Sequence, residues 1–532
     1  MRPKRRRTYG RSQPKSTRKP SVDGQVALPG RASQGSSEVA KAHAERRVGL
    51  YVLASALLVG GALRVWLAFN DDGISYPDEI HQSLEPAHRL VFGYGLVAWE
   101  FVEGARNWLF PGTIAALLEL CRLIGLDDPR VYLGLTRVTF AAIGIATALG
   151  SYWLARGYGA GTLPAACGAA IFALAGPTIY FAPRAMSETA SALAVVLGFA
   201  LSLPRDAGSL RRVVGVSMLG VSVLMRLQNG IFCLGLLAIL AGRRDVRGAA
   251  AAGLVLGVWA VAFGLLDWVT WGGWFHSAFA YLEFNLGPEP ARFGTAPFEY
   301  YASVLSTAMA APTAFLAVLS VAGVVRAPGL FSVAVLVVLA YSAVPHKEFR
   351  FIFPALPLFC ALAGIGLDQI GKTAQKRMSI EPPVDLKWVT PTLAVCVLVS
   401  AGLSAATFHA LTFRDLGQLD PRLSDASAYD NGGDINRLLI LAGRRGDVCG
   451  LKIEVASLDM TGGYTYLHRR VPLYPYSGPS RESGYFNYVI AIRGPDTTEE
   501  VVASDGRLAL ARTRDRCVAD VGYDWMLHPL SR

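Results

Sequence analysis

The stretch ISYPDEIHQSLEPAHRLVFGYGLVAWEF, residues 74–101, decides how the chain is interpreted, because it directly follows a long apolar run. At its centre is the adjacent pair Asp78 and Glu79, where a membrane-spanning helix should meet water. By itself such a pair indicates a solvated loop or a helix start, since acidic side chains favour the first turn of a helix. More polar residues follow at helical spacings, namely His81, Gln82, Glu85, His88 and Arg89. This density of polar groups beside a membrane indicates a functional site.

The composition is that of an integral membrane protein. The chain has 532 residues, 52% of them hydrophobic and 17% charged, with a mean hydropathy of +0.36. The net charge of +11 is concentrated in residues 1–47, which contain 13 Lys and Arg against 3 Asp and Glu. These residues are also rich in Ser, Pro and Gly, so we predict a disordered cytoplasmic tail. Its simplest role is to set the membrane orientation, and binding of nucleic acid or anionic lipid is the less favoured alternative.

Apolar runs separated by Lys and Arg predict a membrane domain over residues 48–410 with about eleven crossings. The first, residues 48–69, is long enough to be an uncleaved signal anchor. The others are predicted over 133–154, 161–181, 187–203, 213–241 as a broken pair, 248–267, 302–325, 329–345, 351–370 and 389–410. An odd number of crossings places the two termini on opposite sides of the membrane, and the basic tail places the N-terminus in the cytoplasm and the C-terminus outside it.

The run 213–241 is too long for one crossing and too short for two of about 20 residues each. We therefore predict two short helices with Arg226, Gln228 and Asn229 at the break. Irregular backbone at membrane depth is tolerated only inside protein or beside a wet cavity, and an intramembrane Arg is a functional candidate by default. The alternative is that Arg226 only pairs with a structural carboxylate.

Residues 411–532 are predicted to form a small extracytoplasmic α/β or β-rich domain, because KIEVASL and NYVIAIRG are β-prone and lie between turn signals. The seven cysteines show no metal-ligand spacing. Cys449 and Cys517 lie in this domain and could form a disulfide outside the cytoplasm. No N-x-S/T sequon occurs, which favours a bacterial inner (plasma) membrane over the endoplasmic reticulum.

On this topology the unusual polar residues fall on one side of the membrane. They are Asp78, Glu79, Gln82, Arg184, Glu188, Asp267, His346, Lys347, Glu348 and Arg350, and Arg226 approaches them from the broken helix pair. Carboxylates and cations beside lipid indicate a substrate with a phosphate and a hydroxyl to be activated, such as a lipid-linked phosphosugar. Asp78 or Glu79 would be the general base. Phosphate contacts would come from Lys347, Arg350, Arg184 or Arg226.

A transporter of a polar or anionic substrate is the alternative function, since intramembrane Arg, Asp and Glu also serve as relays and counter-ions. Two features disfavour it: no repeated half is detectable, and the external loops are large and aromatic. A structural membrane protein would explain the hydrophobicity but not the clustered charge. No P-loop or dinucleotide motif occurs, so nucleotide-driven chemistry is not expected.

Two segments resemble one known family. YPDEIHQSLEPAHRLVFGYGLVAWEF looks like the HPDE-type first-loop motif of the polyprenyl-phosphate-mannose-dependent α-mannosyltransferases, GT-C enzymes that extend GPI anchors and lipid-linked glycans. HKEFRFIFPALPLF is similar to that family's HKE-x-RF-x-x-P-x-x-P signature. RAMSETASAL and the MRLQN break occur between them in the family's order, so the resemblance covers roughly residues 50–370.

The resemblance implies a GT-C membrane fold and an inverting transfer of a sugar, mannose in this family, from a polyprenyl-phosphate donor to a glycan or glycolipid acceptor. It implies that Asp78 is the catalytic base with Glu79 beside it, and that neither a metal nor another cofactor is required. Two positions depart from the family pattern: Tyr76 stands where His is usual, and Arg226 is followed by Leu-Gln rather than Pro-Thr. Donor sugar and acceptor are therefore left open.

Overall fold

The computed structural model describes residues 30–74, 76–204, 207–380, 386–418, 424–493 and 500–527. A helix begins at Gly30, inside the segment predicted as a disordered tail, and residues 1–29 lie outside the described part of the chain. Contacts divide the chain into residues 1–45 and 46–532. The second of these units contains both the apolar helices and the C-terminal sheet.

Helices occupy most of the chain up to residue 410. The α-helices are α1 Gly30–Asn70, α2 Pro77–Glu79, α3 Glu85–Phe92, α4 Trp99–Val102, α5 Leu109–Leu123, α6 Pro129–Gly157, α7 Thr162–Leu174, α8 Gly176–Phe181, α9 Ser187–Ser202, α10 Ser209–Met225, α11 Gly230–Gly242, α12 Val246–Trp271, α13 His276–Leu286, α14 Tyr300–Ala308, α15 Ala311–Gly323, α16 Pro328–Ser342, α17 Leu356–Ile380 and α18 Val389–Ala406. A π-helical turn covers Ile80–Leu84, and 3₁₀ turns cover Leu227–Asn229, Glu289–Phe293, Phe349–Ala355 and Phe408–Ala410.

The helices confirm a multi-pass membrane protein. Within the described residues, those long and apolar enough to cross a membrane are His43–Asn70, Pro129–Gly157, Val246–Trp271, Phe349–Met378 and Val389–Ala406. Shorter apolar helices are Thr162–Leu174, Ser187–Ser202, Leu227–Gly242, Ala311–Gly323 and Pro328–Ser342. The total of about eleven crossings stays a prediction.

The break predicted in the run 213–241 is present. Helix α10 ends at Met225, and Arg226 takes an extended conformation with φ −153° and ψ 109° before the chain turns into α11. The Asn229 side chain donates to the carbonyl of Ser222 at 3.0 Å. The Ser222 carbonyl also accepts the main-chain N–H of Arg226 at 2.9 Å, so the Asn229 side chain adds a second bond that ties the break to the last turn of α10.

Two other spans, predicted as continuous, are interrupted. The span predicted over 161–181 is divided between α7 and α8 just before Pro177, and the span predicted over 302–325 is divided between α14 and α15. At the second break Ala310 has φ 51°, and Pro312 follows. Proline lacks the N–H that would continue the helical hydrogen bonds, which explains why both predicted spans are interrupted.

Arg64 of α1 donates hydrogen bonds to main-chain carbonyls at the break between α7 and α8. Its guanidinium is fully buried and donates to the carbonyls of Ala173 at 2.5 Å, Phe172 at 3.1 Å and Thr178 at 3.2 Å. These carbonyls lie at the end of α7 and in α8, where regular helical bonding is interrupted. This intramembrane arginine therefore has a structural role.

The C-terminal residues form a small α/β domain, as predicted. Its elements are α19 Gly433–Gly443, α20 Gly463–Leu467, β1 Leu451–Ile453, β2 Leu473–Tyr474, β3 Tyr488–Ile492, β4 Glu500–Asp505 and β5 Leu508–Arg512, with 3₁₀ turns at Leu458–Met460 and Arg481–Ser483. The strand order is β2-β1-β3-β5-β4. Strand β1 is parallel to β2 and β3, whereas β5 is antiparallel to β3 and β4.

This domain is bonded to the segment that follows α1. The fully buried carboxylate of Glu85 accepts main-chain N–H groups of Leu96 at 2.8 Å, Tyr464 at 3.0 Å and Thr465 at 2.9 Å. One carboxylate therefore joins two parts of the chain that are distant in sequence. The C-terminal domain thus supports the loop that carries Asp78.

The domain also contains the expected disulfide, between Cys449 and Cys517. The bond closes a loop with a sequence separation of 68 residues. Cross-linking a loop of this size restricts the unfolded chain, so we expect Cys449→Ser to lower the free energy of unfolding by about 2–4 kcal/mol. Thermal unfolding in detergent measures this change. The matched control is Cys396→Ser, a free and exposed cysteine whose replacement should leave stability unchanged; two free thiols in non-reducing peptide mapping would contradict the prediction.

Candidate active site

The two adjacent carboxylates after α1 have different surroundings. Both lie in the short helix α2, where Pro77 occupies the first turn and its fixed φ favours the helix start. The Asp78 side chain is 25% exposed and lines a cleft, whereas the Glu79 side chain is only 7% exposed. The structure therefore presents Asp78, and not Glu79, to a molecule in the cleft.

Arg350 connects three carboxylates at the wall of the cleft. Its Nη2 lies 2.5 Å from Asp78 Oδ2, its Nη1 lies 3.2 Å from Glu188 Oε1, and its Nε bonds to Glu348. The guanidinium carbon lies 4.5 Å from the ring centre of Tyr76, which covers one face of the cation. Tyr76, the residue that replaces the family's His, thus holds the arginine that orients Asp78.

Arg226 reaches the same cluster from the broken helix pair. It forms a buried ion pair with Glu188 and lies over the ring of Phe351, 5.2 Å from the ring centre. Glu188, at the start of α9, therefore bridges Arg226 and Arg350. Gln228, the next polar residue of the break, donates to the hydroxyl of Tyr281 in α13.

Glu79 belongs to a separate, buried network. Arg184 donates to Glu79 at 2.9 Å, to Asp71 at 2.7 Å and to the carbonyl of Gly73 at 2.9 Å. Burial raises the pKa of Asp71, and the Arg184 charge opposes this effect. Asp71 was not predicted as a site residue, although an acidic residue directly after the first apolar run is a recognisable sequence signal. The network fixes the end of α1 against the turn that carries Asp78.

Among His346, Lys347 and Glu348, only Glu348 forms an ion pair with Arg350. Burial alone would raise the pKa of the Glu348 carboxyl, but Arg350 and His346 outweigh it and lower the pKa to about 2. His346 lies 3.2 Å from Glu348 and 3.0 Å from the carbonyl of Gly294. The Lys347 ammonium instead donates to the main-chain carbonyls of Ala296 at 2.7 Å and Val344 at 2.6 Å. In this arrangement Lys347 stabilises the loop.

Gln82 and Asp267 bond to the segment that contains Glu100 and Asn107. Gln82 donates to Glu100 at 2.6 Å, and burial raises the pKa of the Glu100 carboxyl to about 7. Asp267 is fully buried and accepts bonds from Asn107 at 2.9 Å and from the Ser277 hydroxyl at 2.7 Å. Glu100 and Asn107 lie in an aromatic segment without clear periodicity, so the sequence contained no pattern that could identify them.

These elements enclose a narrow cleft of about 30 Å³. Its lining comprises Asp78, Gln82, Ser83, Arg106, Asn107, Phe110, Pro111, Met186, Ser187, Glu188, Met225 and Arg350. The wall thus combines a partly exposed carboxylate, two arginines and hydrogen-bonding side chains. Such a set can take a proton from a hydroxyl and hold an anionic group beside it.

The sequence is similar to those of known mannosyltransferases. Residues 55–426 match the model of the Alg9-like mannosyltransferase family. The chain is 30% identical over 356 residues to GPI mannosyltransferase 3 of Yarrowia lipolytica, covering 65% of this chain and 67% of that protein. It is 28% identical over 471 residues to mannosyltransferase APTG1 of Arabidopsis thaliana, covering 82% and 78%.

The fold is also shared with a solved structure, that of ArnT from Cupriavidus metallidurans bound to undecaprenyl phosphate. The two chains superpose with a TM-score of 0.56 at 16% identity, over 87% of this chain and 97% of ArnT. The family match covers more than half of the chain and contains Asp78, Glu188, Arg226 and Arg350. The chain therefore belongs to the Alg9-like mannosyltransferase family and is a membrane mannosyltransferase with the GT-C fold.

Proposed function

We propose that the protein transfers mannose from a polyprenyl-phosphate donor to a hydroxyl of a glycan or glycolipid acceptor, with inversion at the anomeric carbon and with Asp78 as the general base. The observation that carries this proposal is the setting of Asp78. Arg350 holds its Oδ2 at 2.5 Å, and no described residue donates a hydrogen bond to its Oδ1. An oriented carboxylate with one uncommitted oxygen suits a base that must reach a substrate hydroxyl.

The reaction is a single displacement. The acceptor oxygen attacks the anomeric carbon as Asp78 takes its proton, while the bond between that carbon and the donor phosphate oxygen breaks. The electron pair of the broken bond stays on the phosphate, which leaves as polyprenyl phosphate. One displacement inverts the configuration. Positive charge beside the phosphate stabilises the charge that develops as it departs.

The names of similar proteins support the substrate classes. The similar ArnT structure contains undecaprenyl phosphate, and the Yarrowia relative is a GPI mannosyltransferase. A lipid-phosphate donor and a lipid-anchored glycan acceptor would use a site at the membrane surface, where Asp78 follows the first apolar helix. We include in the proposal that no metal or other cofactor is needed, because the carboxylates that surround Asp78 are already paired with guanidinium groups.

The proposed orientation places residues 1–47 in the cytoplasm and the active site and C-terminal domain outside it, in a bacterial inner membrane. The basic tail supports the cytoplasmic N-terminus by the positive-inside rule. The bond between Cys449 and Cys517 supports an oxidising compartment for the C-terminal domain.

The test is transfer of labelled mannose from polyprenyl-phosphate mannose to a panel of glycolipid and glycan acceptors, in detergent with EDTA. We expect transfer that is unchanged by EDTA and absent with a nucleotide-linked mannose donor. A polyprenyl-phosphate glucose donor is the matched comparison for the sugar. Transfer that stops with EDTA and returns with a divalent cation would overturn the metal-independent mechanism, and transfer from the nucleotide donor would overturn the donor class.

A further inference from the structure

Three of the four cations predicted to bind phosphate are already engaged by acids of the protein, and the fourth, Lys347, donates to main-chain carbonyls. Arg350 contacts three carboxylates and Arg226 contacts Glu188. Arg184 contacts Asp71 and Glu79. Paired buried charges of this kind neutralise each other, so they contribute little net positive potential to a ligand in the cleft.

Arg106 has different surroundings. It lines the same cleft as Asp78 and Arg350, yet in the described part of the chain no carboxylate lies within ion-pair distance of its guanidinium. Its Nε is buried without a hydrogen-bond partner. The guanidinium carbon lies 5.7 Å from the ring centre of Tyr281, which covers one face of the cation and leaves its edge nitrogens for a ligand.

The backbone at Arg106 is held from two sides. The main-chain carbonyl of Arg106 accepts a bond from Trp271 Nε1 at 3.0 Å. The next residue, Asn107, donates to the buried carboxylate of Asp267 at 2.9 Å. The position of this arginine is therefore determined by α12, although it lies in an irregular loop. A binding group held in place in this way loses less entropy when it engages a ligand.

Glu100, an acidic side chain near Arg106, is committed elsewhere. Glu100 accepts the bond from Gln82 at 2.6 Å and is buried. Burial raises the pKa of its carboxyl to about 7, and the nearby charge of Arg106 opposes this rise. In the described part of the chain Glu100 is thus bonded to Gln82 and forms no ion pair with Arg106.

We propose that Arg106 binds the phosphate of the lipid donor and of the lipid phosphate product. Arg350 and Arg226 instead hold Asp78 and Glu188 in place. A guanidinium can donate two parallel bonds to a phosphate, which a lysine ammonium cannot reproduce. The assignment rests on the proposed function for the identity of the donor.

The test measures binding separately from catalysis. Undecaprenyl phosphate is titrated into the full-length protein in detergent, and the bound fraction is measured by native mass spectrometry for the wild type, Arg106→Ala and Arg106→Lys. We expect Arg106→Ala to weaken binding by about 10- to 100-fold, the range for a lost charge-assisted pair. Arg106→Lys should recover part of the affinity. The same variants should raise KM for the donor more than they lower kcat.

Arg122→Ala is the matched control. It removes one positive charge from α5, where Arg122 is exposed and pairs with Glu119, so binding should not change. Wild-type affinity in Arg106→Ala, with correct folding shown by an unchanged unfolding temperature, would overturn the assignment. Equal losses in Arg106→Ala and Arg122→Ala would also overturn it, since they would indicate a general charge effect. Absence of mannosyl transfer together with Arg106-dependent phosphate binding would refute the proposed function but not this assignment.

Discussion

Replacing Asp78 by Asn is expected to lower the rate of mannosyl transfer by about 10²–10⁴-fold, the contribution of a positioned general base. Asparagine has nearly the same shape but cannot accept the hydroxyl proton. The fold should tolerate the change, because Arg350 keeps its contacts with Glu188 and Glu348. The measurement is the initial rate of transfer at saturating donor, together with the unfolding temperature of both proteins.

Glu79→Gln is the matched comparison, because it makes the same chemical change one residue along the chain. Glu79 bonds to Arg184 and is buried, so we expect this variant to lose thermal stability and to retain most of its transfer rate. The opposite order of effects, with Asp78→Asn active and Glu79→Gln inactive, would transfer the role of base to Glu79. Near-normal turnover in both variants would exclude the pair as the source of the base.

Arg184→Met should cause the largest loss of stability, about 3–5 kcal/mol, the usual result of removing one partner from a buried ion pair. The change leaves the carboxylates of Asp71 and Glu79 buried without their cation, and it also removes the bond to the Gly73 carbonyl. These groups define the turn before Asp78. The measurement is the unfolding temperature in detergent and the yield of folded protein.

Arg130→Met is the control for this variant. Arg130 is partly exposed and bonds to Asp72 at 2.7 Å, but Asp72 keeps Arg137 at 3.0 Å when Arg130 is lost. A pair of this kind contributes about 0–1 kcal/mol. Equal decreases of the unfolding temperature in Arg184→Met and Arg130→Met would show that the buried network around Arg184 does not stabilise the fold.

Local patterns in the sequence predicted much of the membrane part. The first span, the break at Arg226 and the strands of the C-terminal domain follow from hydrophobic run length, breaker residues and β-propensity. The two spans interrupted near Pro177 and Pro312 could have been found by the same reasoning, because proline inside an apolar run is visible in the sequence.

The pairing of charges could not be predicted in this way. Several Arg and carboxylate residues fall on the same side of the predicted membrane, and their sequence positions permit many combinations. Glu85 resembled a possible site residue, but it bonds to backbone N–H groups of the C-terminal domain. Arg64 lay hidden in an apolar run, and its partners are carbonyls freed by a break 108–114 residues away.

The sequence by itself determined that this is a polytopic membrane protein of the GT-C type with a small α/β domain at its C-terminal end, because hydrophobicity, turn residues and the two long motifs are properties of neighbouring residues. Only the tertiary structure decided which acid of the adjacent pair faces the cleft. Glu79 is paired with Arg184, 105 residues away, and Asp78 with Arg350, 272 residues away. Burial and ion pairing between such distant residues depend on how the helices pack, and that packing makes one carboxylate structural and leaves the other at the cleft.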